Sequence, residues 1–151
     1  MRRHGQIAVI AGPLPPAIVG QLSSGVPDGQ PAPVAAERTR AIWRNARVAR
    51  EHGVTQALGT DALFGQFDDH CDLGWRAQGL VELAGWAEEH VLVALWPGGA
   101  AALGSPGLLG TIAPGAHADL VVLGGDPRTS IRALRDVRAV YRAGRLVRRA
   151  T

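Results

Sequence analysis

The sequence predicts an α/β fold in which two strand–helix units precede a small β module. Residues 6–11 and 54–58 are short apolar runs of the kind that form buried strands. Apolar residues recur at helical spacing between residues 34 and 49, and again between 80 and 91. After Gly104 the pattern changes to short apolar runs separated by glycines. Strands that alternate with helices indicate parallel βα units, so we expect an α/β body with an appended β module.

Each strand of the body is followed by an amphipathic helix. The first helix is predicted from Val34, Ile42, Ala46 and Ala49. Gly53 then stands where a C-terminal helix cap belongs. The second helix is predicted to carry one apolar face, made of Leu80, Leu83, Ala84, Ala87 and Val91. Pro97 costs a helix interior about 3 kcal/mol, so the helical segment around it should be broken or kinked.

The β module is predicted from two features of the last third of the chain. Residues 120–123 form a continuous apolar strand, and residues 137–147 form a hairpin that turns at Ala143 and Gly144. Glycine accepts the positive φ that such a turn requires. We therefore place a domain boundary at Gly104, with residues 1–104 in the α/β part and residues 105–151 in the β module.

Composition excludes several classes of protein. The 151 residues fit one domain, but a complete (β/α)8 barrel takes roughly 250 residues. No stretch approaches the ~20 apolar residues of a membrane span, and Pro13, Pro15 and Pro16 interrupt the only segment that resembles a signal peptide. The single cysteine, Cys71, excludes an internal disulfide. These features predict a cytoplasmic protein without a membrane partner.

All 16 basic residues are arginines, and eight of them lie from Arg128 onward. A nucleic-acid-binding surface is one interpretation of this cluster. The arginines alternate with apolar residues, aromatics make up only 5% of the chain, and no nucleic-acid-binding motif is present. We therefore predict solvated faces of a helix and a hairpin, and no nucleic-acid partner.

Asp61 is the strongest candidate for chemistry. It follows the second strand directly, in the tripeptide Gly59-Thr60-Asp61. In parallel α/β folds catalytic groups collect at the carboxyl ends of the strands, where a carboxylate can bind a metal or accept a proton from metal-bound water. The alternative is a helix cap or turn former, which is common for an aspartate after a strand.

A second group of titratable residues lies in the segment after Asp61. Asp68, Asp69 and His70 stand together with Cys71 and Asp72. Adjacent positions are not the spacing of a preformed metal site, so a surface loop is the simpler interpretation. A loop that contacts substrate, through Asp68, Asp69 and His70, is the next one.

Two stretches together resemble the metal-dependent amidohydrolase superfamily, and its imidazolonepropionase- and prolidase-like hydrolases in particular. Residues 49–62 read Ala-Arg-Glu-His-Gly-Val-Thr-Gln-Ala-Leu-Gly-Thr-Asp-Ala and are similar to the last barrel repeat of that family. Residues 110–147 are similar to the segment that closes it. They begin with Gly-Thr-Ile-Ala-Pro-Gly-Ala-His-Ala-Asp-Leu-Val-Val-Leu-Gly-Gly-Asp-Pro at residues 110–127, hereafter the closing cassette, and end with Val-Arg-Ala-Val-Tyr-Arg-Ala-Gly-Arg-Leu-Val at residues 137–147. The two occur in the order and at the approximate distance that the family shows.

The resemblance implies the C-terminal portion of a longer enzyme. The implied fold is the last two βα units of a TIM-type (β/α)8 barrel, followed by strands of a small composite β-sandwich domain. The aspartate at the position of Asp61 binds the more buried metal of the family, or relays a proton from the hydrolytic water to the leaving group. Residues 63–74 correspond to the loop over the active site. Asp119, within the closing cassette, is better interpreted as a turn or strand-start residue.

The implied cofactor is a divalent metal, zinc in the full-length family, and most of its ligands are missing here. The family uses a His-x-His pair, a Lys or Glu, and one His on each of two later strands. This chain has no His-x-His and no Lys, and its five histidines match none of those settings: His4, His52, His70, His90 and His117. A catalytic zinc takes about three protein ligands, so we do not expect Asp61 alone to hold one.

The sequence therefore predicts a C-terminal segment of a metal-dependent amidohydrolase. The reaction would be hydrolysis of a carbon–nitrogen bond, non-peptide or dipeptide-type, in a small-molecule amide or cyclic amide by metal-activated water. We expect no turnover from this chain alone, so whether it is itself an enzyme stays open. The alternative is a non-catalytic fragment or subunit, pairing with a chain that supplies the missing His and Lys ligands or with further copies of itself.

Overall fold

A computed structural model describes residues 5–11, 32–60 and 73–150 of the chain. Its first part contains β1 (Ile7–Ala11), α1 (Ala32–Glu51), β2 (Thr55–Gly59), α2 (Leu73–Glu82) and α3 (Glu88–Val93). A π-helical turn (Ala94–Gly98) and the short α4 (Gly99–Ala102) continue from α3. The last part contains β3 (Leu120–Leu123), a 3-10 helix (Ile131–Arg135), β4 (Val137–Arg142) and β5 (Arg145–Arg149). The predicted α/β class is confirmed.

The strands form two sheets of different type. β1 and β2 pair in parallel, in a register that runs from Ile7 opposite Thr55 to Ala11 opposite Gly59. β3, β4 and β5 form an antiparallel sheet in that order. Two parallel strands cannot be joined by a tight turn and need a longer crossover connection. The connection between β1 and β2 contains α1, so the three elements form a strand–helix–strand unit.

The first helix ends where the sequence predicts. Gly53 has a φ of 76°, its N–H donates to the carbonyl of Arg50, and the N–H of Val54 donates to the carbonyl of Ala49. This pair of hydrogen bonds satisfies carbonyls that the last turn of α1 would otherwise leave unpaired. The turn brings the chain directly into β2.

The single helix predicted across residues 80–91 is wrong. α2 ends at Glu82, where Gly85 adopts a φ of 70° and donates its N–H to the carbonyl of Val81. A new helix, α3, starts at Glu88. The apolar spacing continued across this break because Leu80 and Val91, on different helices, are both completely buried in the same core.

The helical path continues past Pro97 as a π-helical turn. Proline lacks an N–H and clashes with the carbonyl four residues earlier, and a wider turn relieves both problems. The next residue, Gly98, is buried against β2, and a Cβ there would overlap the carbonyl oxygen of Gln56. The irregular turn therefore lets the helix backbone approach the strand backbone closely.

One core joins the two parts of the chain. Ile131, in the 3-10 helix, is buried in the same cluster as Leu80 and Val91. At the surface of this junction, Nε of Arg132 donates to Oε1 of Glu82 at 2.7 Å. The guanidinium of Arg135 also stacks 3.4 Å from the ring centroid of Trp75. The described helices include none that is both long and apolar enough to cross a membrane.

Candidate functional site

The candidate site is the edge of the small parallel sheet at which β1 and β2 end. Because the strands are parallel and in register, Ala11 and Gly59 lie side by side at this edge. Thr60, half-buried, is the last described residue after β2. Asp61 follows it in the sequence but falls outside the described residues, as do Asp68, Asp69 and His70.

β2 is held firmly by packing and by one buried side chain. Gln56, Ala57 and Leu58 are all buried. Nε2 of Gln56 donates to the carbonyl of Ala46 in α1 at 2.5 Å, so the strand and the helix before it are tied together. β2 is therefore fixed both by the core and by α1.

The described histidines lie on separate elements and do not form a cluster. Nδ1 of His52 lies 2.9 Å from the carbonyl of Val48 at the end of α1. His117 donates its backbone N–H to the carbonyl of Leu108, and His90 lies on α3. Over residues 5–11, 32–60 and 73–150, no three His, Cys, Asp or Glu side chains lie close enough together to hold a metal ion.

Asp119 in the closing cassette has a structural role. Its Oδ1 accepts a hydrogen bond from the N–H of Ala143 at 2.7 Å, and the carbonyl of Ala118 accepts one from Gly144 at 2.9 Å. Ala143 and Gly144 both have positive φ, 48° and 75°, as a two-residue type I′ hairpin turn requires. Asp119 therefore fastens the β4–β5 turn to the start of β3, in agreement with the role predicted for it.

Asp126, the other carboxylate of the closing cassette, is also occupied locally. Its oxygens accept hydrogen bonds from the backbone N–H of Arg128 at 2.9 Å and from Nη2 of the same residue at 2.7 Å. These hydrogen bonds to Arg128 hold the pKa of the Asp126 carboxyl below its usual range. The closing cassette thus uses both of its carboxylates to shape a loop and a hairpin.

A pocket at the opposite end of β2 was not predicted from the sequence. This pocket has a volume of about 200 Å³, and its lining includes Arg50, Thr55 and His90. Arg50 stands in the last turn of α1, where a basic residue is common, so its position alone does not suggest a site. Only the packing of the π-helical turn against β2 brings His90, on the helix that leads into this turn, to the same pocket.

Comparison with known proteins identifies structural relatives. No protein-family model matches the chain, and no curated protein matches it. Among solved structures, a prolidase in complex with N-methylphosphonate-L-proline matches with a TM-score of 0.77 and 28% identity, covering 99% of this chain and 36% of that one. An amidohydrolase matches with a TM-score of 0.76 and 25% identity, covering 95% of this chain and 35% of that one.

A third structure extends the likeness in fold alone. Molinate hydrolase matches with a TM-score of 0.67 and 22% identity, over 93% of this chain and 32% of that one. The chain thus spans about a third of the length of the structures that it matches. The predicted resemblance to the amidohydrolases and prolidases is confirmed over most of the chain, and it supports a hydrolase of that family.

Proposed function

We propose that this chain is the C-terminal segment of a metal-dependent amidohydrolase that cleaves carbon–nitrogen bonds. In this proposal residues 1–104 supply the last two βα units of a TIM-type barrel. Residues 105–151 supply strands of the composite β domain. Asp61 serves as metal ligand and proton relay at the carboxyl edge of the barrel strands.

The observation that carries the proposal is the match to the prolidase over 99% of this chain, combined with the parallel register of β1 and β2. Parallel pairing means that any residue directly after β2 starts from the carboxyl edge of the sheet. Catalytic groups of parallel α/β enzymes collect at that edge. Asp61 is the first carboxylate after β2 in the sequence.

The proposal assigns one metal ligand to this chain and the others to the remainder of the enzyme. The described residues contain no cluster that fits a metal ion, so they do not form the site by themselves. A divalent metal in such enzymes lowers the pKa of a bound water, which makes it a nucleophile at neutral pH. The contribution of this chain is the Asp61 carboxylate and the strand that positions it.

The substrate class we propose is a small amide, a cyclic amide or a dipeptide-type bond. The prolidase relative was solved with N-methylphosphonate-L-proline. An amide whose nitrogen belongs to proline is therefore the first substrate to test, and a cyclic amide is the second.

A chimaera tests this function directly. This chain would replace the matching third of the prolidase, and zinc content and hydrolysis of an N-acyl-proline would be measured together. We expect a folded chimaera that hydrolyses the substrate, and we expect Asp61→Asn to lower kcat by at least about a hundredfold, because a lost proton relay or ligand acts on the chemical step. Zinc content should fall in the same variant.

Asp136→Asn is the matched control. Asp136 is an exposed carboxylate of the β module whose Oδ2 accepts from Nη2 of Arg138 at 2.9 Å. Its loss should leave kcat and zinc content unchanged. If the Asp61 and Asp136 variants of a folded chimaera had equal activity, the role assigned to Asp61 would be wrong.

The alternative of a non-catalytic subunit makes a different prediction. The isolated chain would then be stable only with a co-expressed polypeptide that carries the missing ligands, or as an oligomer. No feature of the described residues favours this alternative over the first proposal. Metal analysis and sedimentation of the purified chain separate it from a self-sufficient enzyme, which would hold stoichiometric zinc that is lost in Asp61→Ala.

A further inference from the structure

The pocket at the amino end of β2 is a candidate binding site that the proposed function does not use. It lies where Val54 and Thr55 enter the strand, between the end of α1 and the turn that leaves α3. Gly59, at the other end of β2, is about 13 Å away, given a rise of about 3.3 Å per residue. The pocket is thus on the opposite edge of the sheet from the one that leads to Asp61.

The size and walls of the pocket suit a small ligand with an apolar body. Its volume is about 200 Å³, and much of its lining is apolar: Val54, Val93, Ala94 and Pro97. Drug-sized ligands occupy roughly 300–1,000 Å³, whereas benzene fits a cavity of about 150 Å³. A molecule of about one substituted ring matches this volume.

Arg50 brings a positive charge to the pocket that no carboxylate of the described residues pairs with. Its guanidinium lies 5.0 Å from the ring centroid of Trp86, and its Nη1 is buried without a hydrogen-bond partner in the described part of the chain. By contrast Arg47, one turn earlier on α1, pairs with Glu51 at 3.8 Å. Arginine stays charged at all ordinary pH values, and a buried charge is costly unless an acceptor meets it.

The other polar groups around the pocket are compatible with an anion. None of the described residues that line it is an Asp or Glu. Thr55 and His90 line it and carry a hydroxyl and a ring N–H that are able to donate hydrogen bonds. Gln56 also lines it, but its Oε1 is an acceptor and offers an anion no hydrogen bond. The unpaired donor of the pocket is therefore the guanidinium of Arg50, which an acceptor on a ligand would satisfy.

We propose that this pocket binds a small organic carboxylate. The carboxylate meets the guanidinium of Arg50, whose planar set of donors matches it, and the apolar body of the ligand packs against Val54 and Val93. Inorganic phosphate lacks the apolar body, and a neutral alcohol lacks the charge. Both should therefore bind more weakly than a carboxylate of matching size.

Calorimetric titration of the full 151-residue chain with benzoate tests the proposal. We expect one benzoate per chain, with benzyl alcohol and inorganic phosphate each at least tenfold weaker. Arg50→Met retains an apolar stem over Trp86 and removes the charge, so it should weaken benzoate binding at least tenfold. Arg47→Met, on the same helix, should leave binding unchanged.

A second variant keeps the test decisive if Arg50→Met does not fold. Val93→Phe narrows the pocket but keeps Arg50, and Val93 is 53% exposed, so the larger ring should not disturb the core. It should also weaken benzoate at least tenfold, while Leu103→Phe, at a residue 74% exposed, should not. The proposal is overturned if wild-type chain does not bind benzoate, if phosphate or benzyl alcohol binds equally well, or if a folded Arg50→Met or Val93→Phe variant binds as wild type.

Discussion

The α/β part and the C-terminal antiparallel sheet are stabilised in different ways. In the α/β part Ala77, Leu80 and Val91 lose all of their exposure on folding. In the antiparallel sheet Val121 and Val147 remain 57% and 60% exposed, and every residue of β5 is exposed. The first region therefore depends on packing between segments distant in sequence, and the second depends on the hydrogen bonds of its turn and strands.

The contrast explains why the closing cassette is so easily recognised in the sequence. Its structure depends on hydrogen bonds to particular side chains: Asp119 fastens a two-residue turn that lies 24 residues further along the chain, and Asp126 organises the loop before the 3-10 helix. Such features require particular residues at fixed spacings. The α/β part requires only apolar residues of suitable size at the correct spacing, which leaves a weaker signature.

The largest predicted effect concerns the close approach of the π-helical turn to β2. Gly98→Ala should destabilise the chain by about 1–3 kcal/mol or more, because the added Cβ would overlap the carbonyl oxygen of Gln56. Gly99→Ala is the control, since no described atom lies within 4 Å of its Cβ position and its φ is helical at −59°. It should stabilise by about 0.5–1 kcal/mol. Urea unfolding measures both, and equal effects would show that the strand and helix backbones do not touch.

A smaller effect is expected in the antiparallel sheet. Asp119→Ala removes the acceptor for the N–H of Ala143 and should cost about 1 kcal/mol. Asp119→Asn keeps a side-chain oxygen at the same place and should cost less. Urea unfolding gives the free energies, and amide exchange at Ala143 and Gly144 locates the change. If the alanine and asparagine variants behaved identically, the hairpin would not depend on this hydrogen bond.

The smallest effect is expected at the junction between the two regions, and it depends on pH. Hydrogen bonds from Arg132 and then Gln78 hold the pKa of the Glu82 carboxyl below its usual range. The contribution of Glu82 to stability is therefore complete above the pKa of an unfolded glutamate, ~4.3, and is lost as the pH falls through the lower folded value. The Arg132 and Glu82 side chains are 68% and 36% exposed, so solvent screens the pair, and its contribution to stability should be small and should weaken in high salt.

Unfolding free energies of wild type and Glu82→Gln, measured from pH 7 to pH 3, test this junction. The difference between the two should be largest near neutral pH and should vanish in acid. Glu89→Gln, on the exposed side of α3, controls for the removal of one negative charge. A difference between wild type and Glu82→Gln that grew in acid would contradict the assigned direction of the pKa shift.

Some elements of the fold were predicted correctly from the sequence and others were not. The cap at Gly53 and the turn at Ala143 and Gly144 were predicted correctly, because each is decided by residues within a few positions of one another. The helix predicted across Gly85 was wrong, because two separate helices that face one core produce the same spacing as one long helix. The buried strand that precedes Asp61 in the sequence was predicted correctly, whereas Asp61 lies outside the described residues and its role stays a prediction.

The sequence by itself determined the α/β class, the hairpin turn and the likeness to amidohydrolases, since all three depend on local patterns and spacings. Only the tertiary structure decided that Gly98 touches Gln56, that Ile131 shares a core with Leu80, and that Arg50 and His90 line one pocket. The residues of each of these contacts are far apart in the sequence. Contacts of this kind arise from how whole elements pack, and no local pattern of residues specifies them.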